Sequence, residues 1–215
     1  AVYGGAIFVQ TGRARIRGGS VSNNFAKYSG GAIYVTSHTK CHLQVGTDGS
    51  PVVLDHNDCD IHGGTAYIDE DAYLYVSNCV IKNDDSPYEA IYCDDDIYIE
   101  SYKTENADNT ETTHDSTFIT QNSKGKDVYI VDDDDRIIIQ NKLSPECSIG
   151  VALSWETGRF TQGFHKVNGG QDPTDYFYAC KDGFAVGLDS DGEAIIRSTE
   201  WIQLQNIIAA APENG

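Results

Sequence analysis

The sequence has no methionine among its 215 residues and so opens without an initiator, inside what proves to be a repeat. The expectation from that start is a piece of a longer, exported polypeptide whose targeting signals lie elsewhere. No apolar run is long enough to cross a bilayer, no basic segment precedes an apolar one, and no lipidation signature occurs. Insertion of this stretch into a membrane is therefore not expected. Positive charge is scarce: 15 Lys and Arg stand against 33 Asp and Glu, a formal net charge of −18. With so little positive charge against so much negative to release counterions from phosphates, nucleic acid is not an expected partner. No CxxC or paired-His spacing supports a structural zinc. Neither a G-x-S-x-G elbow nor a Cys–His signature supplies a nucleophile.

What the chain does have is a repeat. GGAIFV at 4–9 returns as GGAIYV at 30–35 and GGTAYI at 63–68, then thins to EAIYC at 89–93 and DVYI at 127–130. Between Ile7, Ile33, Ala66, Ile91 and Val128 the spacings are 26, 33, 25 and 37 residues, the long ones holding insertions at 47–51 and 104–115. Each copy leads into a second alternating segment (ARIRG, CHLQV, AYLYV, IYI, IIIQ), and four continue into a third ending in Asn (VSNN, LDHN, VIKN, ITQN). Three strands in roughly 25 residues are too short for a propeller blade and lack the helical period of ankyrin or tetratricopeptide units. They suit an all-β chain in which 1–141 forms about five coils of a three-sided parallel β-helix around one core.

Residues two apart on a strand point to the same side. Ile7, Ile33, Ala66, Ile91 and Val128 thus form one inward column, and Val9, Val35, Ile68, Cys93 and Ile130 another. Ile16, Leu43, Leu74, Ile97 and Ile137 are expected in the second wall, and Val21, Leu54, Val80 and Ile119 in the third. Asn24, Asn57, Asn83 and Asn122 would stack at a corner, amide to amide, and the glycines heading each unit allow a turn that a Cβ would crowd. Cys41, Cys59 and Cys93 fall in inward columns as small hydrophobes. Cys147 and Cys180 either bridge two strands or stay reduced.

GGAI repeats with a downstream aliphatic-x-x-Asn resemble the right-handed β-helix passenger regions of bacterial surface proteins, such as the polymorphic outer-membrane autotransporters. Val21, Leu54, Val80 and Ile119 stand where that family carries the Phe of its Phe-x-x-Asn signature. Residues 142–215 lack the coil period and read as short strands between turns. Their I-x-V at 149–151, G-x-F-T-x-G at 158–163, D-x-x-x-Y-F at 172–177 and strand ending in Glu193-Ala194 are similar to the segment that closes β-helical modules in very large surface proteins of gut anaerobic Firmicutes. The resemblance implies a β-rich cap over 142–215 that shields the last open edge. It also implies extracellular display on a bacterial surface and a monomeric adhesin-type module. Its partner would be a host protein (an immunoglobulin, or a matrix or mucin protein) or a glycan.

Three features carry candidate chemistry. Acidic runs follow the first strand of successive coils: Asp69-Glu70-Asp71, Asp94-Asp95-Asp96 and Asp132-Asp133-Asp134-Asp135. Calcium is the natural counter-ion for stacked carboxylates, with Asp69, Asp71, Asp94, Asp96, Asp133 and Asp135 as ligands; a solvated, screened turn column is the alternative. The second feature is an outward column, Phe8, Tyr34, Tyr67, Tyr92 and Tyr129, which forms either a self-stacking ladder or a set of platforms for sugars and anchors for proteins. Tyr73, Tyr75 and Tyr98 extend this aromatic surface onto the neighbouring wall, where the first coils have Arg15, Arg17, His42 and Gln44. The third feature is enzymatic. Parallel β-helices host polysaccharide lyases and hydrolases, and Arg136 beside Asp132 to Asp135 is the constellation that approaches such a site. His38, His42, His56, His62, His114 and His165 pair with no nucleophile. A binding module leads; a calcium-dependent polysaccharide lyase or glycoside hydrolase, and a passive stalk, stand as alternatives.

Overall fold

The structure, a computed structural model, describes residues 1–44, 46, 49–82, 86–105, 110–122 and 125–210. These are mainly β, and the long sheets are parallel. The first sheet joins Ile7–Val9, Ile33–Val35, Ala66–Ile68, Ile91–Cys93, Val128–Ile130, Ile149–Leu153 and Phe177–Ala179 in chain order. The second joins Arg13–Arg17, Lys40–Gln44, Tyr73–Val76, Ile97–Ile99, Ile137–Ile139 and Thr161–Gln162. The third joins Gly19–Ser22, Val52–Asp55, Asn78–Lys82 and Thr117–Gln121. Each early circuit of the chain thus lays one strand on each sheet, and the next circuit pairs with it in register, an arrangement compatible with a parallel β-helix.

The paired glycines explain why each circuit begins as it does. Gly30 has φ +67°, and a Cβ there would come within 2.3 Å of the Ile33 carbonyl oxygen. Gly31 is pressed against the next circuit, where a Cβ would sit 1.9 Å from the Gly64 carbonyl oxygen. The first glycine makes the turn and the second permits the stacking. Downstream, Ile33, Val35, Ile68, Ile91 and Cys93 are fully buried. In the first circuit Ile7, Ala14, Ile16 and Val21 are only partly covered.

Two wall assignments differ from the expectation. In the second sheet Leu43 lies beside Val76, while Leu74 lies between Cys41 and Ile97. Two inward rows had been merged into one. In the third sheet Leu54 pairs with Ile81, and Ile81 with Thr120. Cys79, Ile81, Phe118 and Thr120 are buried, whereas Val80 and Ile119 are half-exposed on the other face. The cause is a shortened corner. Asn follows the inward residue by three positions in Val21–Asn24 and Leu54–Asn57, but by two at Ile81 to Asn83 and Thr120 to Asn122. Aligning on Asn therefore slips the strand by one residue and inverts its faces. The Asn24 Nδ2 does donate to the Asn57 Oδ1 at 3.0 Å. The Asn122 Nδ2 instead donates to the carbonyls of Tyr88 and Lys126, at 2.6 and 3.2 Å. Asn83 lies outside the described residues.

The parallel pairing also runs past position 142, where no coil period was expected. Val151 pairs with Val128, 23 residues before it, and Ala179 pairs with Val151. The strand went unread as a coil because it lacks the Gly-Gly signature, and Ala152 stands where the aromatic would be. Phe160, Phe164 and Phe177 fill the end of the core with edge-to-face contacts. An antiparallel sheet of Gly158–Arg159, Ala194–Ser198 and Phe184–Leu188 packs there. Buried Glu193 ties it down, accepting from the Thr161 hydroxyl and the Gly163 and Phe164 amides, each at 3.0 Å.

Candidate functional site

Aromatic rings occupy the outward positions of the first sheet because the residue between two inward aliphatics faces out. Tyr34 and Tyr67 stack at 4.8 Å with planes 9° apart, and Tyr67 and Tyr92 at 4.9 Å and 6°. Phe8 and Tyr129 flank this run at 5.6 and 5.7 Å, tilted. Face-to-face stacking spends the ring faces within the column and leaves edges and hydroxyls outward. Such cross-strand pairs stabilise the sheet, and the ring faces of Tyr67 and Tyr92 are taken up within the column. Burial first, then Asp69, holds the Tyr34 phenol up at about 12. Burial likewise raises Tyr67, Tyr92 and Tyr129.

The second sheet brings together Tyr73, Tyr75 and Tyr98 as the sequence suggested, all half-exposed. Tyr75 and Tyr98 stack at 4.7 Å, and Tyr73 meets Tyr98 edge-on at 5.8 Å. The Tyr98 hydroxyl donates to Asp96 Oδ2 at 3.3 Å, and its pKa is raised to about 12 by burial and by Asp96. For Tyr73 the leading cause of its raised pKa is the Asp95 charge. Lys40 went unrecognised as part of this group, and His42 was read only as what an earlier circuit carries in place of a tyrosine. Lys40 Nζ lies 5.2 Å above the Tyr73 ring and 5.6 Å above Tyr75. His42, 7% exposed, stacks on Tyr75. Its Nε2 is buried with no hydrogen-bond partner among the described residues. The available signal was register: Lys40 and His42 occupy in their strand the places of Tyr73 and Tyr75.

The acidic turns group differently from the expected ligand set. Carboxylate oxygens of Asp94, Asp132 and Asp135 lie within 4.8 Å of one another, so Asp132 takes the place assigned to Asp133. Asp96 is engaged elsewhere, accepting from the Arg136 amide at 2.8 Å as well as from Tyr98. Asp69 accepts from the Glu70 amide at 3.2 Å, and Asp71 faces exposed His38 at 3.9 Å. Burial and the neighbouring acids push Asp135 up to about 7, and Asp94 is raised for the same reasons. Three hard oxygen donors strained by mutual repulsion fit a calcium-sized cation chemically.

All six cysteines are free thiols, so Cys147 and Cys180 form no bridge. Cys147 Sγ donates to the Ser116 carbonyl at 3.2 Å, while Cys180 Sγ accepts from the Asp127 amide at 3.5 Å. Burial raises these thiols to about 11 and about 12, leaving both protonated and unreactive. A cleft of about 630 Å³ opens above Tyr129, where Ala152 ends the aromatic column, with Lys126, Lys181 and Phe184 on its walls. No family model, curated protein or solved structure matches the chain.

Proposed function

We propose that the chain is a rigid binding module, a right-handed parallel β-helix displayed extracellularly as part of a larger bacterial surface protein, and that it holds a host protein or a glycan. The observation that carries this reading is the cluster of Tyr73, Tyr75 and Tyr98. These rings are half-exposed on the outer face of the second sheet, while separate inward residues (Leu74, Val76, Ile97, Ile99) make the core. A passive stalk has no need of three tyrosines where its earlier circuits carry Arg and His. Aromatic edges ending in hydroxyls on a stiff sheet supply contact area at little cost in conformational entropy.

Calcium has a place in this reading at Asp94, Asp132 and Asp135, on the turn beside the tyrosines. A polysaccharide lyase or hydrolase is less well supported. Arg136, the base or cation such a site would use, points its guanidinium back at the carbonyls of Asp133 and Asp135, at 2.8 and 2.6 Å. The test is a glycan array combined with pull-down from immunoglobulin, matrix and mucin preparations. It should use the wild type and a Tyr73→Ser/Tyr75→Ser/Tyr98→Ser variant with an unchanged circular-dichroism spectrum. Loss of the captured ligand in the variant supports this face; capture at wild-type strength rejects it.

A further inference from the structure

The same outer face changes character toward its first strand. Arg13, Arg15 and Arg17 alternate outward on Arg13–Arg17 and are all exposed. They make up three of the six arginines in a chain whose net charge is −18. Among the described residues none of their guanidinium groups makes an ion pair. Register sets them in line with the aromatics: Arg13 pairs with Lys40, which pairs with Tyr73, and Arg15 pairs with His42, which pairs with Tyr75. Tyr75 in turn pairs with Tyr98. At roughly 4.8 Å per strand and 3.3 Å per residue, Arg15 to Tyr98 spans about 14 Å and Arg13 to Arg17 about 13 Å. Carboxylates border this grid: Glu100 is hydrogen-bonded to His42 Nδ1 at 3.2 Å, and Asp96 accepts from the Tyr98 hydroxyl at 3.3 Å.

We infer that this face binds a short oligosaccharide bearing a carboxylate or sulfate group. The anionic group would sit on Arg13, Arg15, Arg17 and Lys40, and the hydroxyls on the edges of Tyr73, Tyr75 and Tyr98. The inference rests on the binding-module reading and names its ligand. Guanidinium groups pair with planar carboxylates and with sulfate through two parallel hydrogen bonds, and the phenols beside them exchange hydrogen bonds with sugar hydroxyls. A short ligand is expected, because the attraction of the basic strip is screened beyond a Debye length of about 8 Å, and the further charges of a long polyanion would come against the acidic remainder of the surface instead. A peptide is disfavoured. The guanidinium groups and rings stand on the face of the sheet, whereas the free main-chain groups of Arg13–Arg17, its edge strand, line the edge where an added strand would pair.

The test measures affinity by titration calorimetry or saturation-transfer NMR for lactose, sulfated lactose, sialylated lactose, a hexaglutamate peptide and a short oligothymidylate. The expected result is binding of the two acidic sugars, weakened by raising NaCl from 50 to 300 mM, with lactose at least tenfold weaker. An Arg13→Ser/Arg15→Ser/Arg17→Ser variant should lose at least tenfold for the acidic sugars and keep a wild-type melting curve. Should that variant unfold, Lys40→Ser with Arg15→Gln replaces it. Equal or tighter binding of hexaglutamate or oligothymidylate would overturn the assignment to a sugar. Binding of lactose that depends on the tyrosines and ignores the arginines would overturn the charge requirement and leave the binding module standing. No binding of any probe would overturn this inference, while the pull-down with the tyrosine variant judges the broader reading separately.

Discussion

The imidazole of His42 lies flat against the ring of Tyr75, with centroids 4.4 Å apart and planes within 10°. This pair joins the basic first strands of the face to its aromatic centre. Burial first, then Arg13, Arg15 and Lys40, lowers the pKa of His42 from 6.5 to about 4, despite Glu100 at its Nδ1. The unfolded chain therefore takes up a proton at a pH where the folded one does not. Stability present above pH 6.5 is lost as pH falls from 6.5 toward 4. NMR titration of the imidazole should find it neutral through pH 6; a midpoint near 6.5 would contradict the buried, stacked environment. Replacing His42 with Phe should keep the stack and flatten that part of the acid limb.

The Gly-Gly pairs make a prediction that separates two kinds of glycine. Gly31→Ala places a methyl 1.9 Å from the Gly64 carbonyl, whereas Gly12, at φ +76°, has open space around its Cβ direction. The first should cost more than about 4 kcal/mol or prevent folding. The second should cost only the left-handed strain of an ordinary residue, about 1 kcal/mol. Urea unfolding of both variants checks the difference, and equal losses would mean that the circuits do not stack at Gly31.

Substitutions in the third sheet check the register that differed from expectation. Ile81 is fully buried beside Leu54, and Val80 faces the other way. Ile81→Ala should therefore cost about 2–5 kcal/mol, and Val80→Ala less than about 1 kcal/mol. A reversed order in denaturant titrations would restore the alignment on the asparagines.

How far the sequence could be read followed from what repeats in it. The first wall was legible because Gly-Gly, an aliphatic pair and an aromatic recur together, so each copy checks the next. Tyr73, Tyr75 and Tyr98 stood out for a similar reason, as departures from what earlier circuits carry. The third wall was misread because one conserved-looking feature, the corner Asn, sits at a variable distance from the inward residue, and a period of two turns a one-residue error into a reversed face. The sixth strand of the first sheet was hidden because Ala152 keeps the backbone pairing without the side-chain signature. Lys40 carries no local signal, and it and His42 take their places beside Tyr73 and Tyr75 only through strand register. Asp132 displaced Asp133 because turn geometry, not the run of acids, decides which carboxylates converge.

The acidic turn yields the last prediction. Asp135 holds its proton in the folded state to about pH 7, against 3.8 for an ordinary Asp, because it is half-buried and faces Asp95, Asp132 and Asp134. The folded state therefore binds more protons than the unfolded one across that window. The contribution is fully present below pH 3.8 and is lost as pH rises through 7. Asp135→Asn keeps an acceptor for the Asp132 amide, which donates to Asp135 Oδ2 at 3.3 Å, and removes the charge. The variant should melt higher than wild type at pH 8 and match it near pH 4. A cation held by Asp94, Asp132 and Asp135 relieves the same repulsion, and a ligand specific to the folded state must raise its stability. Millimolar calcium should thus raise the wild-type melting temperature at pH 8 relative to chelator, do little at pH 4 where Asp135 is protonated, and do little for the Asn variant. If calcium leaves the wild type unchanged at pH 8 while the variant still melts higher, the turn is a solvated acidic column whose protons alone govern its stability.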